Sequence, residues 1–282
     1  MDWTGRFGPA SWTGAFGPVV LGVVNVTPDS FSDGGRWLAP DAAVAHGLAL
    51  LDDGADWLDV GGESTRPGAP PVDTDEELRR VLPVIEGLVR ARPDVVVSVD
   101  TRRAVVAEAA LTAGARVVND VTGLSDAAMR AACARAGCAV ILMHMRGTPE
   151  TMQSMTTYED LVGEVGASLD ASARAAMDAG IARERIAVDP GVGFAKTSEA
   201  NPVLIAGIPR ILEYGWPVVV GASRKRFVGD LTGVPVAADR VHGSVGAALA
   251  AFANGASVLR VHDVRATREA LQVYRACRGD RR

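Results

Sequence analysis

Three aspartates, Asp59, Asp100 and Asp189, each close a short apolar run: ADWL before the first, VVVSV before the second, RIAV before the third. A carboxylate accepts two parallel N–H donors, so such residues suit a ligand with an amidine-like or guanidine-like edge. Other apolar runs end on different chemistry. VVLGVV ends in Asn25, ARVV in Asn119 and CAVILM in His144. WPVVVG leads into Ser223-Arg224-Lys225-Arg226, and ASVL ends in Arg260 with His262 two places on. Arginine, lysine and histidine hold phosphate or carboxylate, and on extended backbone the i, i+2 spacing sends Arg260 and His262 to one side. Asn25 supplies the oxygen of a Mg²⁺ ligand on a diphosphate. Phe194, in Gly193-Phe194-Ala195-Lys196, offers an apolar surface to a flat ligand.

Each residue also has a plainer use. A lone strand-end Asp is more often the N-cap of the next helix, and Asp189 followed by Pro190-Gly191 reads as a turn. A run of cations is usually a solvated face, and a lone His is usually structural. Three such Asp, with Asn119 facing the same pocket, are harder to dismiss together. No residue stands out as an activated nucleophile, which points to a second substrate as the attacking group.

The elements that must position these groups repeat without a linker-like break. Valine-rich strands lack strict alternation, as when both faces are buried. Helices are expected over Asp41–Asp53, Asp75–Arg92, Arg102–Ala113, Asp126–Ala136, Tyr158–Ala179, Ser198–Tyr214, Arg240–Ala253 and Arg265–Cys277. Gly54, Gly114, Gly137, Gly180, Gly215 and Gly255 stand where C-caps belong. This βα repetition demands parallel strands with right-handed crossovers. In an eight-stranded barrel the site forms at the C-terminal ends of the strands. One polar group at each of about eight strand ends therefore predicts a single (β/α)8 TIM barrel, of the α/β class, over residues 19–282. The alternative is a doubly wound open sheet, which would gather its site at one switch point. Residues 1–18, rich in Gly and aromatics, are read as a short N-terminal arm or hairpin that plugs the barrel bottom.

Four connections exceed an ordinary βα loop: Thr27–Arg36, Gly61–Asp73, Met145–Thr157 and Pro190–Ser198. The first reads as a lid whose Phe31 covers an aromatic ligand. In the second, Arg66 with Glu63, Ser64 and Thr65 suggests an anion site, while Gly62, Pro67 and Gly68 also make a rigid turn. Long loops on one rim are usually functional, though the third carries no decisive chemistry and flexible decoration is a fair alternative for it.

The net charge of −5 argues against nucleic acid or an anionic membrane as partner. Three cysteines, Cys133, Cys138 and Cys277, without metal spacing read as reduced cytoplasmic thiols. No apolar run reaches the roughly 20 residues of a membrane span, and the N-terminus does not read as a signal peptide. GxGxxG after the first strand, Walker A, GxSxG and HExxH are all missing, which disfavours dinucleotide, P-loop and zinc chemistry.

The ordered stretches LGVVNVTPDSFSDGG (Leu21–Gly35), DVGGESTRPGA (Asp59–Ala69), SVDT (Ser98–Thr101), Asn119-Asp120, DPGVGF (Asp189–Phe194), GASRKR (Gly221–Arg226) and RVHDV (Arg260–Val264) resemble those of dihydropteroate synthase. The resemblance runs from about Val19 onward. It implies a barrel that condenses p-aminobenzoate with 6-hydroxymethyl-7,8-dihydropterin diphosphate, giving 7,8-dihydropteroate and diphosphate. It also implies the assignments of the residues. Asp100, Asn119, Asp189 and Lys225 would hold the pterin, with Asp59 nearby. Asn25, Arg66, Arg260 and His262 would hold diphosphate, with Asn25 on Mg²⁺. Thr65, Pro67, Phe194, Lys225 and Arg226 would line the p-aminobenzoate site under Phe31. Asp100, Asp189, Lys225, Arg260 and His262 would carry the chemistry. Sulfonamides become expected inhibitors and a homodimer the expected assembly. A related pterin-binding methyltransferase would not need the Ser-Arg-Lys-Arg, Arg-x-His and Thr-Arg-Pro-Gly features. A non-catalytic paralogue would have lost some of them. A sugar-phosphate barrel would fit the three Asp less well.

Overall fold

A computed structural model describes residues 12–14, 17–26, 40–64 and 72–279. Phe31, Thr65, Arg66 and Pro67 lie outside these residues, as does most of the N-terminal arm. The strands are β1 (Thr13–Gly14), β2 (Gly17–Asn25), β3 (Trp57–Gly61), β4 (Val96–Asp100), β5 (Val117–Asp120), β6 (Ala139–Met143), β7 (Ile186–Asp189), β8 (Val219–Val220) and β9 (Val258–Val261). The helices are α1 (Pro40–Asp52), α2 (Thr74–Ala91), α3 (Ala104–Thr112), α4 (Ala127–Ala136), α5 (Leu161–Asp178), α6 (Ala200–Ala206), α7 (Ile208–Leu212), α8 (Arg226–Thr232), α9 (Val241–Ala253) and α10 (Val264–Arg278).

Strands β2 to β9 are parallel and neighbour one another in the order β7-β6-β5-β4-β3-β2-β9-β8. A parallel bridge from Val188 to Val218 joins β7 to the approach of β8. The sheet thus curls into a (β/α)8 barrel, and the open doubly wound alternative falls. The six expected cap glycines all have positive φ, between 59° and 112°. A side chain with a Cβ would be strained there, which is why these helices stop where glycine stands.

The period-2 alternation of the strands sorts their residues. Val20, Leu58, Val97, Val118, Val140, Val188 and Leu259 belong to the core shared with the helices. Their neighbours Val19, Leu21, Trp57, Val96, Val117, Ala187, Val219 and Val258 form a second cluster, the barrel floor. Two residues further along the same inward rows come Asp59, Ser98, Asn119, Asp189 and Arg260. The apolar floor therefore passes directly into a polar layer.

Trp12 belongs to the floor. It is almost fully buried, meets Trp57 edge-on at 5.6 Å and donates from Nε1 to the Glu184 carbonyl at 3.0 Å. Strand β1 pairs antiparallel with the start of β2, Thr13 with Pro18, which delivers Trp12 to that position. Trp12→Ala is expected to lower unfolding free energy by about 3 kcal/mol while sparing catalysis at the opposite rim, as read by a denaturant titration beside an activity assay.

Three expectations need correction. Strands β3, β5 and β9 run on past Asp59, Asn119 and Arg260, so these residues lie within strands and face inward. The helix expected over Ser198–Tyr214 is two, α6 and α7, parted at Gly207. Pro209 lacks the N–H that a continuous helix would use, and a Cβ on Gly207 would lie 2.4 Å from Val162. The seven-residue α8 follows the Ser-Arg-Lys-Arg run where no helix was expected.

Candidate active site

The polar layer opens into a cavity of about 900 Å³ at the C-terminal rim. Its base is a charge network drawn from four strands. Arg260 on β9 donates from Nε to Asp59 Oδ2 at 2.6 Å and from Nη2 to Asp100 Oδ2 at 2.8 Å. Asn119 on β5 donates from Nδ2 to the same Asp59 oxygen at 3.1 Å. Because an ionised Asp59 only accepts, Asn119 must turn its amide nitrogen toward it. The amide oxygen is then left for the cavity that Asn119 lines. Asp59 itself is fully buried and does not line the cavity. Expected near the pterin, it orients Asn119 and Arg260 from below.

Asp100 lines the cavity. Burial pushes its carboxyl up to about 7; Arg260 opposes this, while Asp59, Glu77 and Asp120 add to it. Asp189, at the end of β7, is likewise pushed up by burial, against the Gly191 N–H and the charges of Lys225, Arg260 and Lys196. Its Oδ1 accepts the Gly191 N–H at 2.7 Å, so the turn reading holds and the carboxylate still faces the cavity. None of the three aspartates is an N-cap. Asp73, Asp126 and Asp160 cap helices instead.

The loop after β7 brings Phe194 to the cavity wall. Lys225 Nζ sits 4.0 Å from its ring centroid, a cation–π contact between the loops after β7 and β8. Phe194 also packs with Val121, Met143 and Met152. Met152 is buried in the long loop after β6 and supplies part of the wall, which favours the functional reading of that loop over decoration.

Lys196 was named only as part of its loop, and it is 3% exposed at the cavity edge. It donates to the Phe194 carbonyl at 2.8 Å and lies 3.1 Å from His144 Nδ1. Burial pulls Lys196 down to about 7, with help from Lys225 and Arg146 against Asp189. Burial, then Lys196 and Arg146, hold His144 at about 3. His144 is therefore neutral and can accept at Nδ1.

The expected anion side is only partly as the residue types suggested. His262 and Ser223 are joined twice: the Ser223 hydroxyl accepts the His262 N–H at 3.2 Å and lies 3.0 Å from Nδ1. In the tautomer where the hydroxyl donates to Nδ1, Nε2 carries the proton and is a donor. Arg224 is tied to Asp263 at 2.5 Å, and Arg226 extends to solvent with an 88% exposed side chain, 3.5 Å from Asp230. All three cations of this run line the cavity, and Lys225 is the one stacked on the Phe194 ring.

Asn25 ends β2 at the cavity rim. No group of three His, Cys, Asp or Glu able to hold a metal occurs among the described residues. A single amide oxygen beside an anion site fits Mg²⁺, which keeps most of its oxygens from phosphate and water.

Glu63 and Arg103 clasp the second long loop at its two ends. Glu63 accepts the Val72 N–H at 3.1 Å, and Arg103 binds Glu63, Glu77 and the Val72 carbonyl. Burial raises Glu63, but hydrogen bonds from Arg103, Arg102 and Val72 outweigh it and hold the carboxyl at about 2. Glu63 is thus a fastening for the loop rather than part of an anion site.

Residues 21–262 match the family of pterin binding enzymes. The chain is 48% identical over 261 residues to the dihydropteroate synthase of Neisseria meningitidis serogroup C, covering 91% of this chain and 92% of that one. It is also similar to the solved dihydropteroate synthase of Xanthomonas albilineans in complex with 7,8-dihydropteroate, at 47% identity and a TM-score of 0.85, covering 93% and 94% of the two chains. The Yersinia pestis dihydropteroate synthase with a sulfonamide drug gives 43% identity and a TM-score of 0.88, covering 93% and 94%. Matching these relatives over nearly its whole length, the chain belongs to the pterin binding enzymes and, among them, to the dihydropteroate synthases.

Proposed function

We propose that this chain condenses p-aminobenzoate with 6-hydroxymethyl-7,8-dihydropterin diphosphate to give 7,8-dihydropteroate and diphosphate. The observation that carries this reading is the convergence of Asp100, Asn119, Asp189 and Lys225 in one cavity with His262 and Arg260. The Asp100 and Asp189 carboxylates and the Asn119 amide oxygen match the N–H-rich edge of a pterin, and Lys225 matches an acceptor on it. His262 and Arg260, lining the same cavity, offer donors to the diphosphate, and Phe194 offers an apolar wall to the aromatic ring of p-aminobenzoate.

In the reaction the methylene carbon loses its bond to diphosphate and gains one to the amine nitrogen, and the amine gives up one proton. Asp100 and Asp189 favour the positive charge that spreads over the pterin as diphosphate departs. His262 donates from Nε2 to the leaving oxygens. An arylamine is neutral at pH 7 and needs no general base to attack, so holding it against the methylene supplies much of the rate. Asn25 would hold Mg²⁺, which would neutralise charge on the leaving diphosphate.

The test incubates the protein with the pterin diphosphate and Mg²⁺, with and without p-aminobenzoate. Diphosphate release coupled to dihydropteroate supports the reading; pterin binding without turnover points to a non-catalytic paralogue, and no binding removes it. A sulfonamide would compete with p-aminobenzoate in the same assay. The homodimer proposal rests on α9, which has no charged residue and turns His242, Gly246, Ala250 and Ala253 outward beside the 64% exposed Val273 of α10; a monomer in sedimentation would overturn it. The unbridged thiols of Cys133, Cys138 and Cys277 are in keeping with a cytoplasmic setting; a fractionation experiment finding the protein elsewhere would remove that assignment.

A further inference from the structure

We propose that Lys196, acting with His144, is a positioning residue for p-aminobenzoate: it fixes the Phe194 carbonyl and so holds the Phe194 ring against Lys225. The inference rests on the condensation reading above.

The loop after β7 takes an unusual path. Gly191, Gly193 and Ala195 have φ of 70°, 82° and 51°, alternating with ordinary residues. Ala195 is strained in that region, since it carries a Cβ. Such a path persists only where its surroundings over-determine it. The surroundings do so from every side. Asp189 takes the Gly191 N–H, and Asn201 Oδ1 takes the Gly193 N–H at 2.6 Å. The Tyr158 hydroxyl donates to the Ala195 carbonyl at 3.0 Å. The Phe194 carbonyl, between these, has Lys196.

A buried ammonium is a poor choice for stability alone, because an apolar chain of similar length would avoid its desolvation. Lysine does what an apolar residue cannot. One nitrogen bonds a carbonyl within its own loop and an imidazole on the neighbouring strand end, so the loop is registered against β6. His144 is in turn anchored to β7, its N–H donating to the Asp189 carbonyl at 2.9 Å. The chain of contacts therefore runs from Asp189, through His144 and Lys196, to Phe194 and the Lys225 above it.

The experiment varies both substrates in steady-state kinetics on the full chain and on Lys196→Met, His144→Leu and His144→Asn. Lys196→Met and His144→Leu are expected to raise KM for p-aminobenzoate about tenfold; KM for the pterin diphosphate should stay within about threefold in His144→Leu and rise less than KM for p-aminobenzoate in Lys196→Met, which also removes a charge near Asp189. His144→Asn, whose amide oxygen replaces Nδ1 as acceptor, is expected to return KM for p-aminobenzoate toward its starting value. Should Lys196→Met fail to fold, the contrast between His144→Leu and His144→Asn decides. Unchanged p-aminobenzoate KM in an active series, equal shifts in both KM values, or no difference between the two His144 variants overturns the inference alone. An unmodified chain that makes no dihydropteroate overturns the condensation reading, and this inference with it.

Discussion

Asp100→Asn is expected to lower kcat/KM for the pterin diphosphate by about 10²–10³-fold, the size seen when one preorganised electrostatic partner is removed from a reacting centre. The carboxylate accepts two donors at once and carries the charge that offsets the cation developing on the pterin. An amide of the same shape keeps one acceptor, and sets its own N–H against a donor edge. Arg260 still has Asp59, so the barrel stays intact and the loss appears in kinetics. A variant within threefold of the unmodified chain would remove Asp100 from the mechanism.

The same residue gives a pH signature. Burial first, then Asp59, Glu77 and Asp120, raise Asp100 to about 7 in spite of Arg260. Its ionised, ligand-binding form grows as pH rises, so kcat/KM for the pterin diphosphate is expected to climb through about pH 7. That limb should vanish in Asp100→Asn. The stability effect of this group has the opposite sign. A carboxyl raised on folding contributes stability that is full below its unfolded pKa and is lost as pH climbs through about 7. Thermal melts of the ligand-free protein between pH 6 and 8 should show that decline, and the Asn variant should flatten it.

Arg260→Met is expected to destabilise the fold by about 3–5 kcal/mol, the range found when one partner of a buried ion pair is deleted. Asp59 is fully buried, and its Oδ1 already lacks a partner. Among the described residues, Oδ2 without the guanidinium keeps only the Asn119 amide, and Asp100 loses its one ion-pair partner. Pterin affinity should fall with stability, because Asp100 moves further toward its protonated form. Denaturant midpoints supply the measurement, and Asp59→Asn added to Arg260→Met separates the two effects. The double variant should regain most of the stability but only part of the affinity, since losing the Asp59 charge eases Asp100 back toward its ionised form without restoring Arg260. If it regains nothing, the damage comes from lost packing rather than from an unbalanced charge.

What could be read from the sequence was local. A glycine after an apolar helix marks a left-handed cap, and all six such positions have that conformation. Asp100 and Asp189 end their strands as expected. Arg260 and His262 share the cavity because residues two apart on a strand share a face. Asp59 misled because a polar residue was taken to end an apolar run. Inside a barrel the run continues, with Val60 outward and Asp59 inward. The roles of Lys196, Glu63 and Arg224 depend on partners 52, 40 and 39 residues away, His144, Arg103 and Asp263. No spacing rule connects such pairs. Their one local hint was charge set among glycines, prolines and apolar residues, which pointed to an anion site for Arg224 and Glu63 and named no partner for Lys196.

Arg260 reaches Asp59 across 201 residues of chain and Asp100 across 160. On a ribosome, both carboxylates emerge long before the guanidinium that balances them. Strand β9 is also the strand that stands between β2 and β8. Closing the ring and neutralising its interior are therefore one event, which waits for β9. A nascent chain halted before that point would carry a sheet with exposed edges and carboxylates crowded beneath the rim, so it should remain dependent on chaperones until Arg260 clears the exit tunnel.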